Sequence, residues 1–577
     1  MVQNEIYSSI SSDSSWSPRV IWLEMIEHLK IAAPVCVTYI LRKSPDIISI
    51  MFVGHISSKF QDVSSLTGEN TLSHYVACVG LASVTANVTG NSMIIGLAGA
   101  LSTICSQSYG AKDMYTFTTT LQKAILIELI CICAPVSLLW LLSENLLLGL
   151  GQQPMIARDT SRYLIYLIPH LWATAATFCI HNWLYAQSIT QPSAVIAVLT
   201  AIVHPLWCYI CIYVFHLGFL GAASAIVITK FVELVFLLIY LNFLSPILVE
   251  TNFKLQWPWS RDISDAEGGS IYNVRESWWP FLRLGLPNLM MMTEWWASEI
   301  IVFMSGVLSR DSAVSDVQVS AMTIYQNIIV ICWMAPAGLG VSGSTRVGNF
   351  IGERDPERAN LAAAVATVLA ALVSVFISTS MVLSQSSWLF LFTGDPETLA
   401  AVSLILNFLF LYVFADGIQT AVTGVLQGMG RQSVGGPIVI FAYYVIGIPL
   451  SAAFAFKWGL NLGVVGLCAG TTAGTFAHML LFVYVLATTK WESTAVQGGD
   501  GSPSCEDGLA EISPEDTKTA QQHALVGYTS TIVASLSSIV SQKKAAPVGE
   551  YELVPTSSSS VPFEVNLPEG AGEEYTS

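Results

Sequence analysis

Charged residues are scarce in this sequence. Only 11% of its 577 residues are Asp, Glu, Lys or Arg, whereas soluble domains carry about 25%. Hydrophobic residues make up 53% of the chain, and the mean hydropathy is +0.60. So few charges cannot solvate a surface of this size, so a soluble globular protein is excluded.

A basic surface is missing as well. The net charge is -16. The segment 493–577 holds twelve acidic residues against three lysines, so it contributes -9 of this total. No stripe of Lys or Arg is present, and nucleic acid is therefore excluded as a partner.

Disulfide and metal patterns are weak. The eleven cysteines lie mostly inside apolar runs, where they serve as small core residues. Cys131-x-Cys133 and Cys208-x-x-Cys211 have no second pair of ligands, so we predict no metal site and no cofactor. Residues 1–20 are polar and Ser-rich, so we expect no cleavable signal peptide. No convergent nucleophile and base are evident, and an enzyme is not predicted.

Long apolar runs dominate the rest of the chain. A bilayer core of about 30 Å needs about 20 apolar residues per helix. Twelve such runs occur, at 31–53, 75–101, 121–143, 160–183, 193–215, 219–244, 281–308, 317–340, 361–384, 398–424, 436–457 and 463–489. They lack the alternating polarity of membrane β-barrel strands. The sequence predicts an all-α, multi-pass integral membrane protein of the plasma membrane or a vacuolar or other endomembrane, with the lipid bilayer as its partner.

Positive charge predicts the orientation. The even-numbered loops hold ten Lys or Arg residues and the odd-numbered loops five. Because cytoplasmic loops carry the excess of positive charge, we expect both termini to be cytoplasmic.

An internal repeat predicts the organisation. Residues 96–113 (GLAGALSTICSQSYGAKD) align without a gap with residues 338–355 (GLGVSGSTRVGNFIGERD), at an offset of 242. Two further matches follow in the same order, QSITQP with QGMGRQSVGGP and Leu217-Gly218 with Leu462-Gly463. Six spans separate the repeats, so the halves enter the membrane in the same direction. We predict two six-helix lobes related by a pseudo-twofold axis, with a cleft between them.

These patterns divide the chain into five parts. We predict a cytoplasmic segment at 1–30, an N-lobe at 31–244, a cytoplasmic linker at 245–280, a C-lobe at 281–490 and an acidic, Ser-rich disordered tail at 491–577. Residues 524–540 of the tail are mildly apolar but rich in Ser and Thr. We favour an interfacial or disordered segment there over a thirteenth span.

Carboxylates inside predicted spans are the candidate functional groups. A charged side chain at the bilayer centre costs about 2.5–3.5 kcal/mol, so each one requires a function or a partner. Glu294 and Glu299 lie in the seventh span, where five positions place them about 140° apart. Asp416 in the tenth span begins a polar stripe that continues through Gln419 and Thr420, which predicts a cavity wall. The alternative is that these carboxyls are neutral and hydrogen-bonded within the protein.

Other charges inside spans have simpler interpretations. We predict that Arg42 pairs with Asp46 at i, i+4, and that Lys230 pairs with Glu233 at i, i+3. Lys43 and Glu128 have no partner that the sequence reveals.

Four segments resemble the MATE (multidrug and toxin extrusion) family, in particular its eukaryotic branch. They are VTG at 88–90 through QSYG at 107–110, EWWASE at 294–299, the run from Pro336 through RVGN at 346–349, and GMGRQ at 428–432 followed by Tyr443-Tyr444. The resemblance implies two six-helix lobes and proton- or sodium-driven antiport of drugs, organic cations or secondary metabolites.

The resemblance also suggests which residues act. It implies a proton-coupling or cation-binding role for Glu294, Asp416 and Glu299, and polar cavity positions at Asn87 and Gln107. Gln326 stands where animal relatives carry a Glu, and it cannot titrate. Aromatic faces at Trp295 and Tyr325 could hold a cationic substrate.

We therefore expect a monomeric secondary transporter that works by alternating access. H⁺ is favoured over Na⁺ as the coupling ion. The alternative is a flippase for lipid-linked or amphiphilic molecules with the same two-lobe fold.

Overall fold

The computed structural model describes residues 16–55, 69–149, 151–243, 278–308, 312–392 and 395–492. No β-strand occurs within these ranges. The segment 524–540 and almost all of the predicted linker and tail lie outside the described residues.

Twelve long helices make up the described fold. They are α1 Pro18–Gly54, α2 69–110, α3 Met114–Leu141, α4 Pro154–Ala186, α5 Gln191–Val214, α6 Phe219–Phe243, α7 279–306, α8 Ser312–Gly352, α9 Pro356–Leu383, α10 Pro396–Met429, α11 Gln432–Ala455 and α12 Val464–Ala487. By length and composition, ten of the described helices can cross a membrane. The other two are α1, whose charged residues form two groups at 19–30 and 42–46, and α7, which is broken at Met292 into pieces of 13 and 14 residues. The predicted fold class, an all-α polytopic membrane protein, is confirmed.

Four helices contain a π-helical turn. The turns lie at Asn87–Asn91 in α2, Leu129–Cys133 in α3, Ile210–Val214 in α5 and Phe441–Gly447 in α11. In α5 and α11 a proline, Pro205 or Pro437, precedes the turn by about one helical turn. A proline removes one backbone hydrogen bond from the helix and forces a local adjustment. Each π turn adds one residue and rotates the face that the rest of the helix presents.

The predicted repeat is visible in the backbone. Lys112 and Arg354, which the 242-residue offset pairs, both have left-handed φ angles, 60° and 61°. In each half the next residue caps the following helix: Asp113 accepts the amide of Thr116 and Asp355 that of Arg358, both at 3.0 Å. A short polar side chain at this position supplies an acceptor for an otherwise free amide.

The contact between the halves is reciprocal. Gly110 of α2 packs against the backbone carbonyl of Asn349 in α8, and Gly352 of α8 packs against the carbonyl of Gln107 in α2. The offset of 242 pairs Gln107 with Asn349 and Gly110 with Gly352. Each contact is thus the image of the other, as a pseudo-twofold axis requires. A Cβ atom at either glycine would overlap the other helix, which explains why both are glycine.

Each lobe has its own hydrophobic core. One cluster of buried side chains runs through α2–α6, and two others lie within α7–α12. The first helix of each lobe extends across the boundary. Val20 and Ala32 of α1 pack with α8–α10, while Phe281 and Leu284 at the start of α7 belong to the core of α2–α6.

Candidate functional site

Glu294 is the centre of a hydrogen-bonded group inside the C-lobe. It lies in the first turn after the break in α7. Its Oε1 accepts hydrogen bonds from the Gln419 amide at 3.0 Å and from the Tyr443 hydroxyl at 2.8 Å. The same Gln419 amide donates to Oδ1 of Asp416 at 2.9 Å. Residues of α7, α10 and α11 therefore meet at one point.

Glu294 and Asp416 form a carboxylate pair. The Gln419 amide donates to both carboxyl groups, and Asp416 is only 3% exposed. One donor thus links two acidic side chains from different helices. The polar stripe predicted on α10 contacts Glu294 through the hydrogen bond from Gln419.

The twelfth helix completes the surroundings of the pair. The Tyr443 hydroxyl also lies 3.3 Å from the Thr475 hydroxyl. Nδ1 of His478 is 3.8 Å from Oε2 of Glu294, and neither ring nitrogen has a hydrogen-bond partner among the described residues. Sequence analysis assigned no role to Tyr443, Thr475 or His478. The sequence did contain one indication of a role for His478, since it is the single histidine in the apolar run 463–489.

Glu299 lies apart from the carboxylate pair. It is exposed, and its nearest described charge is Lys43 of α1 in the opposite lobe. Lys43 in turn forms an ion pair with Asp46 at 2.9 Å. The two glutamates of α7 thus have different neighbours, which is one of the arrangements that their five-residue spacing permits.

The predicted Arg42–Asp46 pair is wrong. Arg42 contacts Glu233 of α6 at 2.9 Å instead. The predicted Lys230–Glu233 pair is confirmed at 2.7 Å, and His181 lies 3.0 Å from the same carboxylate. A buried carboxylate needs counter-charges, and Arg42 of α1 supplies one of them to Glu233 of α6. Asp46 pairs instead with Lys43, three residues earlier on the same face of α1.

Aromatic rings from both lobes meet at Trp295, the residue after Glu294 in α7. Trp295 packs edge-on against Trp333 of α8, with 5.7 Å between ring centroids. Trp333 also lies 5.8 Å from Tyr39 of α1. We call Tyr39, Trp295 and Trp333 the aromatic group. Sequence analysis predicted only Trp295 among them, because nothing in the sequence brings α1 next to α8.

The remaining predicted cavity residues are dispersed. Asn87 lies in the π turn of α2, where its side chain accepts from Asn91. Tyr325 is buried in the C-lobe core and its hydroxyl has no hydrogen-bond partner among the described residues. Gln326 donates to the Ser298 carbonyl at 3.5 Å. Thr420 lies where α10 packs on α8.

Gln107 takes part in a seam that joins the lobes. Its amide donates to the Gly428 carbonyl at 2.9 Å. Glu24 accepts two hydrogen bonds from the Arg346 guanidinium, and His28 lies 2.8 Å from the Ser342 hydroxyl. We call these contacts the cytoplasmic seam, because they lie at the helix ends that the charge pattern places in the cytoplasm. The lobes are closed on that side.

Glu128 of α3 has no partner in the described part of the chain. Its carboxyl group is fully buried, immediately before the π turn, and neither oxygen has a hydrogen-bond partner among the described residues. The structure assigns it no contact with the carboxylate pair.

Comparisons with known proteins agree with the fold. The family profile described as MatE matches residues 34–210 and 288–453. Protein DETOXIFICATION 12 of Arabidopsis thaliana is 30% identical over 474 residues, which cover 82% of this chain and 91% of that protein. Multidrug and toxin extrusion protein 1 of Xenopus tropicalis is 28% identical over 476 residues, 82% of this chain and 76% of that protein. The crystal structure of the eukaryotic MATE transporter AtDTX14 matches with a TM-score of 0.73 at 27% identity, covering 83% of this chain and 99% of that chain.

Proposed function

Because this chain belongs to the MatE family of multidrug and toxin extrusion transporters, we propose that it is a proton-coupled antiporter of organic cations. The observation that carries the proposal is the carboxylate pair of Glu294 and Asp416, buried in the C-lobe and bridged by one amide.

In the proposed cycle the carboxylate pair binds either a proton or the substrate cation. Binding of a proton from the outside neutralises the pair and releases the bound cation. The lobes then reorient, because an unpaired buried charge opposes the rearrangement and a neutral pair does not. Release of the proton into the cytoplasm restores the negative site for the next cation.

The hydrogen bonds around the pair favour H⁺ over Na⁺. Oε1 of Glu294 already accepts from Gln419 and Tyr443, and both donors point their hydrogen atoms at the carboxylate. An ionised carboxylate offers only acceptor sites, and these two donors occupy the positions from which a metal cation would bind Oε1. A proton needs a single oxygen, so the donors and the coupling ion are compatible.

The aromatic group supports a cationic substrate. Tyr39 and Trp333 come from one helix in each lobe, and Trp295 follows Glu294 in α7. A desolvated cation–π contact contributes about 2 kcal/mol. Exchange of one proton for one monovalent cation is electroneutral, so each pH unit supplies about 1.4 kcal/mol.

The proposal is tested by transport in proteoliposomes. Uptake of a fluorescent organic cation is followed under an imposed pH gradient and then under an imposed Na⁺ gradient. Wild type is compared with Glu294→Gln and Asp416→Asn, and with Glu144→Gln, an exposed glutamate in a short helix outside the spans. We expect transport to follow the pH gradient, to be lost in the first two variants and to persist in the third.

Other outcomes have separate meanings. Transport that responds only to Na⁺ would overturn the coupling ion and keep the carboxylate site. Transport that survives in Glu294→Gln and Asp416→Asn would overturn the site. Folded protein that moves no cation but moves a labelled lipid would replace the proposal with the flippase alternative.

A further inference from the structure

Three potential metal ligands meet at the end of the N-lobe opposite the cytoplasmic seam. His74 and Cys78 are one helical turn apart on α2, and Asp159 lies in the first turns of α4. Nε2 of His74 is 2.9 Å from Oδ2 of Asp159 and 3.6 Å from Sγ of Cys78. The three ligand atoms all lie within 4.8 Å of one another.

Two of the three spacings between these atoms are close to those around a tetrahedral metal ion, and the third, between Cys78 and Asp159, is no longer than 4.8 Å. Zinc bonds of about 2.3 Å to sulfur and about 2.0 Å to nitrogen, at a tetrahedral angle, place the two ligand atoms about 3.6 Å apart. The distance between Cys78 Sγ and His74 Nε2 has this value. The contact between His74 and Asp159 has the length of a hydrogen bond, and it needs to lengthen by only a few tenths of an ångström for both atoms to bind one ion.

The neighbourhood is organised around the ligands. Nη1 of Arg162 lies 3.7 Å from the other oxygen of Asp159, which leaves Oδ2 for the metal. Interactions of this kind orient metal ligands. The side chains of His74 and Asp159 are 11% and 17% exposed, whereas Cys78 is buried. An ion can therefore enter from the surface and reach a thiol below it, with water as its fourth ligand.

We propose that His74, Cys78 and Asp159 form a binding site for a divalent transition-metal ion of the zinc class. A set of one imidazole, one thiolate and one carboxylate suits Zn²⁺ and disfavours Ca²⁺ and Mg²⁺, which take oxygen ligands. Binding replaces the hydrogen bond between Nε2 of the neutral His74 and Asp159 with two metal bonds, leaves the imidazole proton on Nδ1 and releases the thiol proton of Cys78. The ion links α2 to α4 within the N-lobe. By the predicted topology, it reaches the site from the side opposite the cytoplasm.

This site was not predicted from sequence. Sequence analysis predicted no metal site, because it considered only the cysteine pairs Cys131-x-Cys133 and Cys208-x-x-Cys211. His74-x-x-x-Cys78 by itself supplies two ligands. The third ligand lies far along the chain, and only the packing of α4 against α2 brings it close.

The test is zinc binding to the purified full-length protein in detergent, without a histidine tag. Titration with ZnCl₂ against a chromophoric chelator measures affinity and stoichiometry for wild type, His74→Ala, Cys78→Ser and Asp159→Asn. His55→Ala is the control, because His55 is an exposed histidine that the topology places on the same side. We expect one ion per chain and a loss of more than tenfold in affinity for each of the first three variants. The control should bind as wild type does.

Cobalt provides a second readout that does not depend on stability. Co²⁺ bound to a thiolate gives a charge-transfer absorption, which should be present in wild type and absent in Cys78→Ser. Zinc affinity that is unchanged in the three variants, or bound Co²⁺ without this absorption, would overturn the site. Neither measurement involves transport, so a failure here is independent of the carboxylate pair.

Discussion

Replacement of Glu24 by glutamine should open the cytoplasmic seam. Glu24 of α1 accepts from Nε and Nη2 of Arg346 in α8, at 2.8 and 2.5 Å. The two side chains are only 2% and 8% exposed. The guanidinium also lies over the Phe350 ring, 4.7 Å from its centroid. The variant keeps the shape of residue 24 and removes its charge.

The expected effect is large because the pair is buried. Removing one partner of a buried ion pair costs about 3–5 kcal/mol. In the proposed alternating-access cycle, α1 and α8 separate when the cytoplasmic side opens, and water then solvates both Glu24 and Arg346. The loss of the ion pair therefore destabilises the closed conformation and leaves the free energy of the open conformation nearly unchanged. A change of about 3 kcal/mol shifts the ratio of closed to open protein by more than about 100-fold.

Hydrogen–deuterium exchange measures this shift. We expect faster exchange in peptides covering residues 107–112 and 349–354, where α2 and α8 meet, and unchanged exchange in the core of α4. The control is Lys30→Gln, which breaks an exposed pair with Glu27 on the same helix and should cost less than about 1 kcal/mol. Unchanged exchange at the seam in Glu24→Gln, or an equal change in Lys30→Gln, would refute the reasoning. Faster exchange throughout both lobes would indicate general destabilisation instead.

Three further predictions follow from other contacts. Gly110→Ala should impair transport and lower the melting temperature, because its methyl group would overlap the backbone of α8. In the control Gly80→Ala, on the same helix, the methyl group meets nothing within 4 Å, so the change should be neutral or stabilising by up to about 1 kcal/mol. Equal melting curves for the two variants would contradict the predicted overlap at Gly110. Tyr443→Phe removes a hydroxyl donor from the carboxylate pair and should shift the pH profile of transport while leaving the fold intact; a profile identical to wild type would exclude its role in proton exchange. Arg42→Gln should destabilise the protein by about 1.5–3 kcal/mol, because Glu233 loses one charged hydrogen-bond partner and keeps Lys230 and His181. Lys43→Gln, at a residue 38% exposed, should cost less than about 1 kcal/mol, and thermal unfolding in detergent that ranks the two variants in the opposite order would disprove the assignment of partners.

Much of the fold could be predicted because hydropathy and repeats are properties of the chain itself. The cost of placing polar groups in lipid requires apolar runs of spanning length, and these runs are visible without any tertiary information. The repeat at an offset of 242 predicted two parallel halves, and the matching φ angles of Lys112 and Arg354 follow from it. Intramembrane carboxylates stand out for the same reason, which is how Glu294 and Asp416 could be selected in advance.

The partners of those residues were decided only by the tertiary structure. Which side chain meets Glu294 depends on the depth and rotation of α10, α11 and α12, and the packing of the whole lobe sets both. π turns add to the difficulty, since one extra residue in α11 rotates the face that carries Tyr443 and the α-helical period cannot show it. The same limit explains why Arg42 was assigned to Asp46, and why Glu24 and His74 were not singled out. Each has its decisive partner on another helix, and local patterns in a sequence contain no information about the rotation of one helix against another.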